Sequence, residues 1–165
     1  MLRARCVYPA GAWPHTAARG VVSLAYDDRH RRRWKLESDR GEAFLLDLPQ
    51  AVVLQDGDGL ALDDGGWIAV AAAFEPLLEV TAASPGELCR LAWHLGNRHI
   101  AAAIAADRIL IRDDHVIAAM LGGLGAQLRR REAPFTPERG AYDGSRHPHP
   151  HAPHDDDDND GGDPA

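Results

Sequence analysis

Ser84-Pro85-Gly86-Glu87-Leu88-Cys89-Arg90-Leu91-Ala92-Trp93-His94-Leu95-Gly96 is a helix written out with both of its ends. Ser84 is in the N-cap position, Pro85 in the first helical position and Glu87 in the third, the order of a capping box. Leu88, Leu91, Ala92 and Leu95 follow at i, i+3, i+4 and i+7, which makes one apolar stripe. Gly96 can take the left-handed conformation that closes a helix. Upstream, Leu77 to Thr81 reads as a strand. Downstream come two extended segments, Ala101 to Ala105 and Arg108 to Arg112, and then a second helix. Asp113 or Asp114 can cap it, and Ile117, Met120, Leu121 and Leu124 repeat the apolar spacing before Gly125. A last strand over Gln127 to Glu132 completes βαββαβ, the ferredoxin-like arrangement.

The sequence before this unit has a different texture. From Val21 to Phe74, short apolar runs alternate with turn residues: Val21 to Tyr26, Arg33 to Glu37, Ala43 to Leu48, Ala51 to Leu54, Gly59 to Leu62 and Trp67 to Phe74. Asp39-Arg40-Gly41, Pro49, Asp56-Gly57-Asp58-Gly59 and Asp63-Asp64-Gly65-Gly66 punctuate them. The expected fold class is therefore α+β. A small all-β domain spans residues 1–75, the ferredoxin-like domain 76–142, and a disordered tail rich in histidine and aspartate 143–165.

Charge and histidine are both concentrated in that tail. Of the net charge of -7 over 165 residues, Asp155, Asp156, Asp157, Asp158, Asp160 and Asp163 supply six, which leaves residues 1–154 nearly neutral. His147, His149, His151 and His154 are four of the nine histidines. Imidazoles on a proline-stiffened segment suit borderline divalent ions such as nickel, zinc and copper. The opposing reading is a solvated tail or a cloning remnant. Such a segment collects a metal but does not define a catalytic geometry.

Two further histidines stand at helix ends of the ferredoxin-like unit. His99 follows the first helix in Gly96-Asn97-Arg98-His99, and His115 opens the second in Arg112-Asp113-Asp114-His115. Taken alone, His99 is an ordinary surface or core histidine. Paired across a two-fold axis, one residue type would yield a two-histidine site. Asp114 reads first as a helix cap, which leaves Asp113 freer to act as a ligand beside His115.

Other chemistries find little footing. The longest apolar run, Trp67 to Phe74, has eight residues against the roughly 20 of a membrane span. Cys6 and Cys89 form no CxxC pair and read as reduced thiols of a cytoplasmic protein. The first 20 residues carry arginine and no acid, yet they lack the apolar core of a signal peptide, which leaves a transit peptide as the alternative. Asp56-Gly57-Asp58-Gly59 lacks the EF-hand ligand pattern and is expected to be a hairpin turn. There is no HExxH, no P-loop and no GxSxG serine. The basic run His30-Arg31-Arg32-Arg33-Trp34-Lys35 reads as a solvated strand edge rather than a nucleic-acid site.

Taken together, His94-Leu95-Gly96-Asn97-Arg98-His99, Asp114-His115-Val116 sixteen residues beyond His99, Pro134-Phe135, Gly140-Ala141-Tyr142 and the His-rich end resemble the UreE urease accessory proteins, which are nickel metallochaperones. The likeness extends over nearly the whole chain. It implies a homodimer joined through the ferredoxin-like domains, with His99 of each subunit forming a central Ni(II) site and His115 an auxiliary ligand. It also implies a partner-binding or peptide-binding-like N-terminal domain, and as partners the GTPase UreG and the apo-urease maturation complex. Asp113 stands where some members carry the first histidine of a His-x-His pair, so the auxiliary site here has one imidazole fewer. Ala101 and Ala103 replace a proline and a glutamine often found after the motif. The alternatives from other classes are a nickel or zinc store and a metal-dependent hydrolase using His99, His115 and Asp113. The hydrolase reading lacks a candidate general base.

Overall fold

The computed structural model describes residues 1–139, which form two sheets and two α-helices. The first sheet contains β1 (Leu2–Tyr8), β2 (Ala18–Leu24), β3 (His30–Glu37), β4 (Ala43–Val53), β5 (Gly59–Leu62) and β6 (Trp67–Ala72) in the order β2-β6-β5-β1-β4-β3. β1 and β4 run parallel, as do β2 and β6, and the remaining pairs are antiparallel. Their inward residues, among them Ala4, Val22, Leu36, Phe44, Leu46, Leu60 and Ile68, form one buried cluster.

Three sequence expectations change here. The strand reading began at Val21 and left β1 out, although β1 lies inside the sheet between β5 and β4. Leu2, Ala4 and Cys6 alternate with Arg3 and Arg5, but a register shift between Ala4 and Cys6 breaks the pattern, so that Val7 rather than Cys6 packs on the core with Leu2 and Ala4. Its backbone pairing on both sides holds it in place. Next, the expected break at Pro49 is a bulge rather than an end. Arg31 faces Val52 while Arg33 faces Asp47, so the segment around Pro49 loops out of the ladder where its missing N–H costs no bond. Finally, Asp56-Gly57-Asp58-Gly59 is a tight turn but not a hairpin, since β1 separates β4 from β5. Gly57 adopts φ 83°, and the buried Asp58 carboxylate accepts the Gln55 N–H at 2.7 Å. Burial pushes the Asp58 carboxyl above its ordinary value, against the opposing pull of that N–H.

The second sheet holds β7 (Phe74–Thr81), β8 (Ala103–Ile104), β9 (Ile109–Arg112) and β10 (Gln127–Pro134), in the order β10-β7-β9-β8 with every neighbour antiparallel. With α1 (Pro85–Gly96) after β7 and α2 (His115–Gly123) after β9, this is the ferredoxin-like topology. Ser84 Oγ accepts the Glu87 N–H at 3.3 Å, and the Glu87 carboxylate reaches back to the Ala83 N–H at 3.1 Å. Leu88, Leu91 and Leu95 of α1 pack with Leu121 of α2 onto Leu78, Val80, Ile109 and Ile111. β10 is an edge strand, which explains why Arg129, Arg130 and Arg131 stand in it without alternation.

The opposite face of the second sheet meets the first. Leu77, Leu110, Ala133 and Phe135 pack against Tyr26, which belongs to a single helical turn between β2 and β3. The Tyr26 and Phe135 rings meet edge to face at 5.4 Å. Arg29, 1% exposed, donates to the Phe135 carbonyl, and its guanidinium lies 5.4 Å from the Tyr26 ring centre. Tyr26 N–H donates to Glu75 at 3.0 Å, and Arg112 pairs with Asp27. Among the described residues no helix is long and apolar enough to cross a membrane. Because Phe135 is fully buried between the two sheets, F135A is expected to lower stability by about 3–5 kcal/mol, read from denaturant unfolding followed by tryptophan fluorescence.

Candidate functional site

The end of α1 departs from the sequence expectation in an informative way. Gly96 is not left-handed; His99 is, with φ 56°, the one such residue other than glycine among those described. Ile100 N–H donates to the Leu95 carbonyl at 3.1 Å and His99 N–H to the Gly96 carbonyl at 3.0 Å. These are the two bonds of a Schellman motif, with His99 in the position that favours glycine. Ile100 completes it by packing into the cluster that contains Leu95. α2 ends on the same device: Ala126 N–H donates to Leu121 and Gly125 N–H to Gly122, each at 3.0 Å, with Gly125 at φ 86°. One fold therefore makes the same turn twice, once with glycine and once with histidine. An L residue in this conformation is less stable than glycine by roughly 1 kcal/mol, although histidine tolerates it better than most.

The turn places His99 on the wall of a groove of about 580 Å³. Ile100, Ala101, Asp113, Asp114 and Ile117 line it from the second sheet and its helices, Pro76 and Glu75 from β7, Arg112 from β9, and Tyr26 from the first sheet. His99 is exposed, so its imidazole is open to exchange. The acidic residues have settled roles. Asp114 is the N-cap of α2: its Oδ1 accepts the N–H groups of Val116 at 2.8 Å and Ile117 at 3.0 Å. Those two bonds, Ile117 first, hold its carboxyl below the ordinary value of 3.8. Asp113 is spared capping, yet it is not free. Arg130 Nε donates to its Oδ2 at 2.7 Å, because Ile111, Asp113 and Arg130 share the helix-covered face of the sheet.

His99 and Asp113 are thus brought to one groove, whereas His115, exposed at the start of α2, does not line it. His94 sits in the last turn of α1, its ring edge-on to Trp93 at 5.0 Å, and its carbonyl accepts from Arg98 at 3.0 Å. His147, His149, His151 and His154 lie outside the described residues, as do Gly140, Ala141 and Tyr142. Among the described residues no three His, Cys, Asp or Glu side chains come together to hold a metal ion. A complete donor set therefore needs a second copy or residues beyond Arg139. Tyr26, Glu75, Arg112 and Arg130 were not candidates in the sequence. They reach the groove through strand pairing and packing between the two sheets, and no local pattern announces that.

Residues 7–73 match the family model described as the N-terminal domain of UreE urease accessory protein, and residues 75–161 match that of its C-terminal domain. Among curated proteins, a urease accessory protein UreE of Bradyrhizobium sp. is 51% identical over 155 residues, covering 94% of this chain and 75% of its own. Its counterpart in Beijerinckia indica is 50% identical over 149 residues, covering 90% and 86%. That of Rhodobacter capsulatus is 49% identical over 146 residues, covering 88% and 90%.

Two outcomes follow from the helix ends. H99G should unfold at a higher temperature than either the wild type or H99A, with a gain of roughly 0.5–1 kcal/mol, in calorimetry of the metal-free protein. D114A should lower the unfolding temperature at neutral pH, because two N–H groups of α2 lose their acceptor. Because the folded carboxyl lies below its ordinary 3.8, this contribution is complete above that value and fades as pH falls through the lowered one. D114N, which caps without ionising, should remove that pH dependence from acid unfolding curves.

Proposed function

The chain belongs to the UreE family of urease accessory proteins, and on that premise we propose that it is a nickel metallochaperone which carries Ni(II) to urease during assembly of the enzyme's active site. It is an accessory protein of urease maturation rather than an enzyme. The observation that carries the metal-handling reading is His99. An exposed imidazole is kept on a groove wall at a backbone position better suited to glycine, and the matching turn of α2 uses Gly125. Strain of this kind persists where a side chain is needed.

In this reading the cargo is held between two copies of the chain. His99 from each subunit of a homodimer supplies a pair of imidazoles, good ligands for a borderline ion. Asp113 stands in the same groove, but it must first leave Arg130 to serve as a ligand. His115 is the auxiliary donor. His147, His149, His151 and His154 collect the ion, residues 76–142 dimerise and hold it, and residues 1–75 meet the recipient. The recipient is the GTPase UreG with the apo-urease complex, in the cytoplasm. A few imidazoles at an open interface release an ion more readily than a tetrahedral thiolate cage. Cys6 and Cys89 are exposed single thiols on β1 and α1, consistent with that choice.

Nickel titration calorimetry with light scattering tests the arrangement. The wild type should show one tight ion per dimer, and H99A should lose it by at least tenfold in affinity. A variant with His147, His149, His151 and His154 changed to Asn should keep the tight ion and lose only weaker binding. A tight site unchanged in H99A, or a monomer at micromolar concentration, would overturn the paired-His99 assignment. Tight binding lost with the tail instead would favour storage.

A further inference from the structure

We propose that Arg130 is a resident cation for Asp113: it occupies the carboxylate while the groove is empty and competes for it with the cargo ion, so that loading and release exchange one cation for the other. This rests on the reading that the groove of His99 holds Ni(II). Arg130 Nε donates to Asp113 Oδ2 at 2.7 Å. The pair depends on where each strand turns its side chains. Leu78 and Val80 of β7 face the helices, and Arg130 pairs with Leu78, so it stands on the helix-covered side. Arg129 and Arg131 stand on the other face, where Arg131 meets Glu79 at 2.6 Å. Asp113 follows two residues after Ile111, which also faces the helices, and its N–H donates to the Pro76 carbonyl at 3.1 Å. Arg112, the other cation of the groove, is engaged elsewhere: it pairs with Asp27 and lies 5.9 Å from the centre of the Tyr26 ring. Among the described residues Arg130 is therefore the one cation paired with Asp113.

The fold itself has no need of this pair. Asp114 already caps α2, so Asp113 is not required at the helix end. Protection of an edge strand asks for charge on β10 but not for a carboxylate to receive it. The pair is also easily parted. The Arg130 side chain is 76% exposed against 24% for Asp113, and an exposed ion pair is worth only a factor of about two to five in an equilibrium. A guanidinium that leaves Asp113 passes directly into water, while the carboxylate it leaves behind stays on the groove wall with His99. A free carboxylate beside an imidazole would add an oxygen ligand and a negative charge to the ion's surroundings and hold it longer. Arg130 limits that hold by reclaiming the carboxylate. A two-fold arrangement applies the limit twice, once from each copy.

The test compares full-length wild type, R130A, D113N and R130A/D113N by nickel titration calorimetry and by the rate at which each gives up nickel to a chelator. Because Arg130 lies mostly in solvent, R130A removes the competing donors and leaves the core intact. R130A should bind nickel about two- to fivefold more tightly for each subunit and release it correspondingly more slowly. D113N should bind more weakly than the wild type, and R130A/D113N should match D113N. A purely structural Arg130 would lower the unfolding temperature without tightening the hold on nickel. The proposal is overturned by R130A at wild-type affinity, by D113N at wild-type affinity, or by an equal gain from R130A with and without Asp113, which is a general effect of charge. H99A separates this failure from that of the underlying reading. If H99A loses the ion while R130A matches the wild type, the nickel site stands and the proposal alone falls. If H99A binds as the wild type does, the groove is not the nickel site and both fall.

Discussion

A buried cation sets the relation between the two sheets. Arg29 lies on the first sheet's side of the boundary and spends one guanidinium bond on the carbonyl of Phe135, which follows the last strand of the second. Removing a guanidinium from water costs several kcal/mol unless its surroundings replace the lost solvation. Here the carbonyl, the Tyr26 ring and the nearby carboxylates of Glu75 and Asp56 do so in part, and desolvation still draws the Arg29 pKa below its ordinary value. Arg29 Nε finds no partner among the described residues. A cation this dependent on particular neighbours tolerates few alternative arrangements. Tyr26, held by the same contacts, is thereby fixed as the first sheet's contribution to the groove that holds His99.

The rest of the groove is built from helix ends. The last turn of α1 and the first of α2 lie side by side, since β9 returns antiparallel to β7 and delivers Asp113 opposite Pro76. Asp114 takes the capping duty, so the residue before it can face the groove. The division of labour between neighbouring aspartates is decided by backbone geometry: only one of them can reach both orphan N–H groups. Arg130, sent across from β10, then balances the other.

What could be read from the sequence follows the range of the forces involved. Both helices, the Ser84 cap and the βαββαβ order were legible because periodicity and capping act within a few residues. β1 was not, since its alternation of Leu2, Ala4 and Cys6 with Arg3 and Arg5 is short and is broken by the bulge before Val7. Pro49 shows the limit of turn chemistry: the residue marks a real irregularity, but the strand resumes beyond it. At the site, His99 was identified by its neighbours Gly96, Asn97 and Arg98. Its left-handed backbone was not, because Gly96 looked like the terminator and the chain instead made three more residues of turn. Tyr26 and Arg130 are distant in sequence, and only the fold unites them with it.

The left-handed histidine also has a meaning on the timescale of descent. Where the native backbone prefers glycine, selection for stability alone pulls in one direction at every generation. On the proposed reading of His99, a lineage with no further need of that imidazole is expected to change to glycine or asparagine at position 99 early, before its core or its caps. The residue at that turn would therefore serve as a marker of retained function in a fold that had otherwise kept its shape.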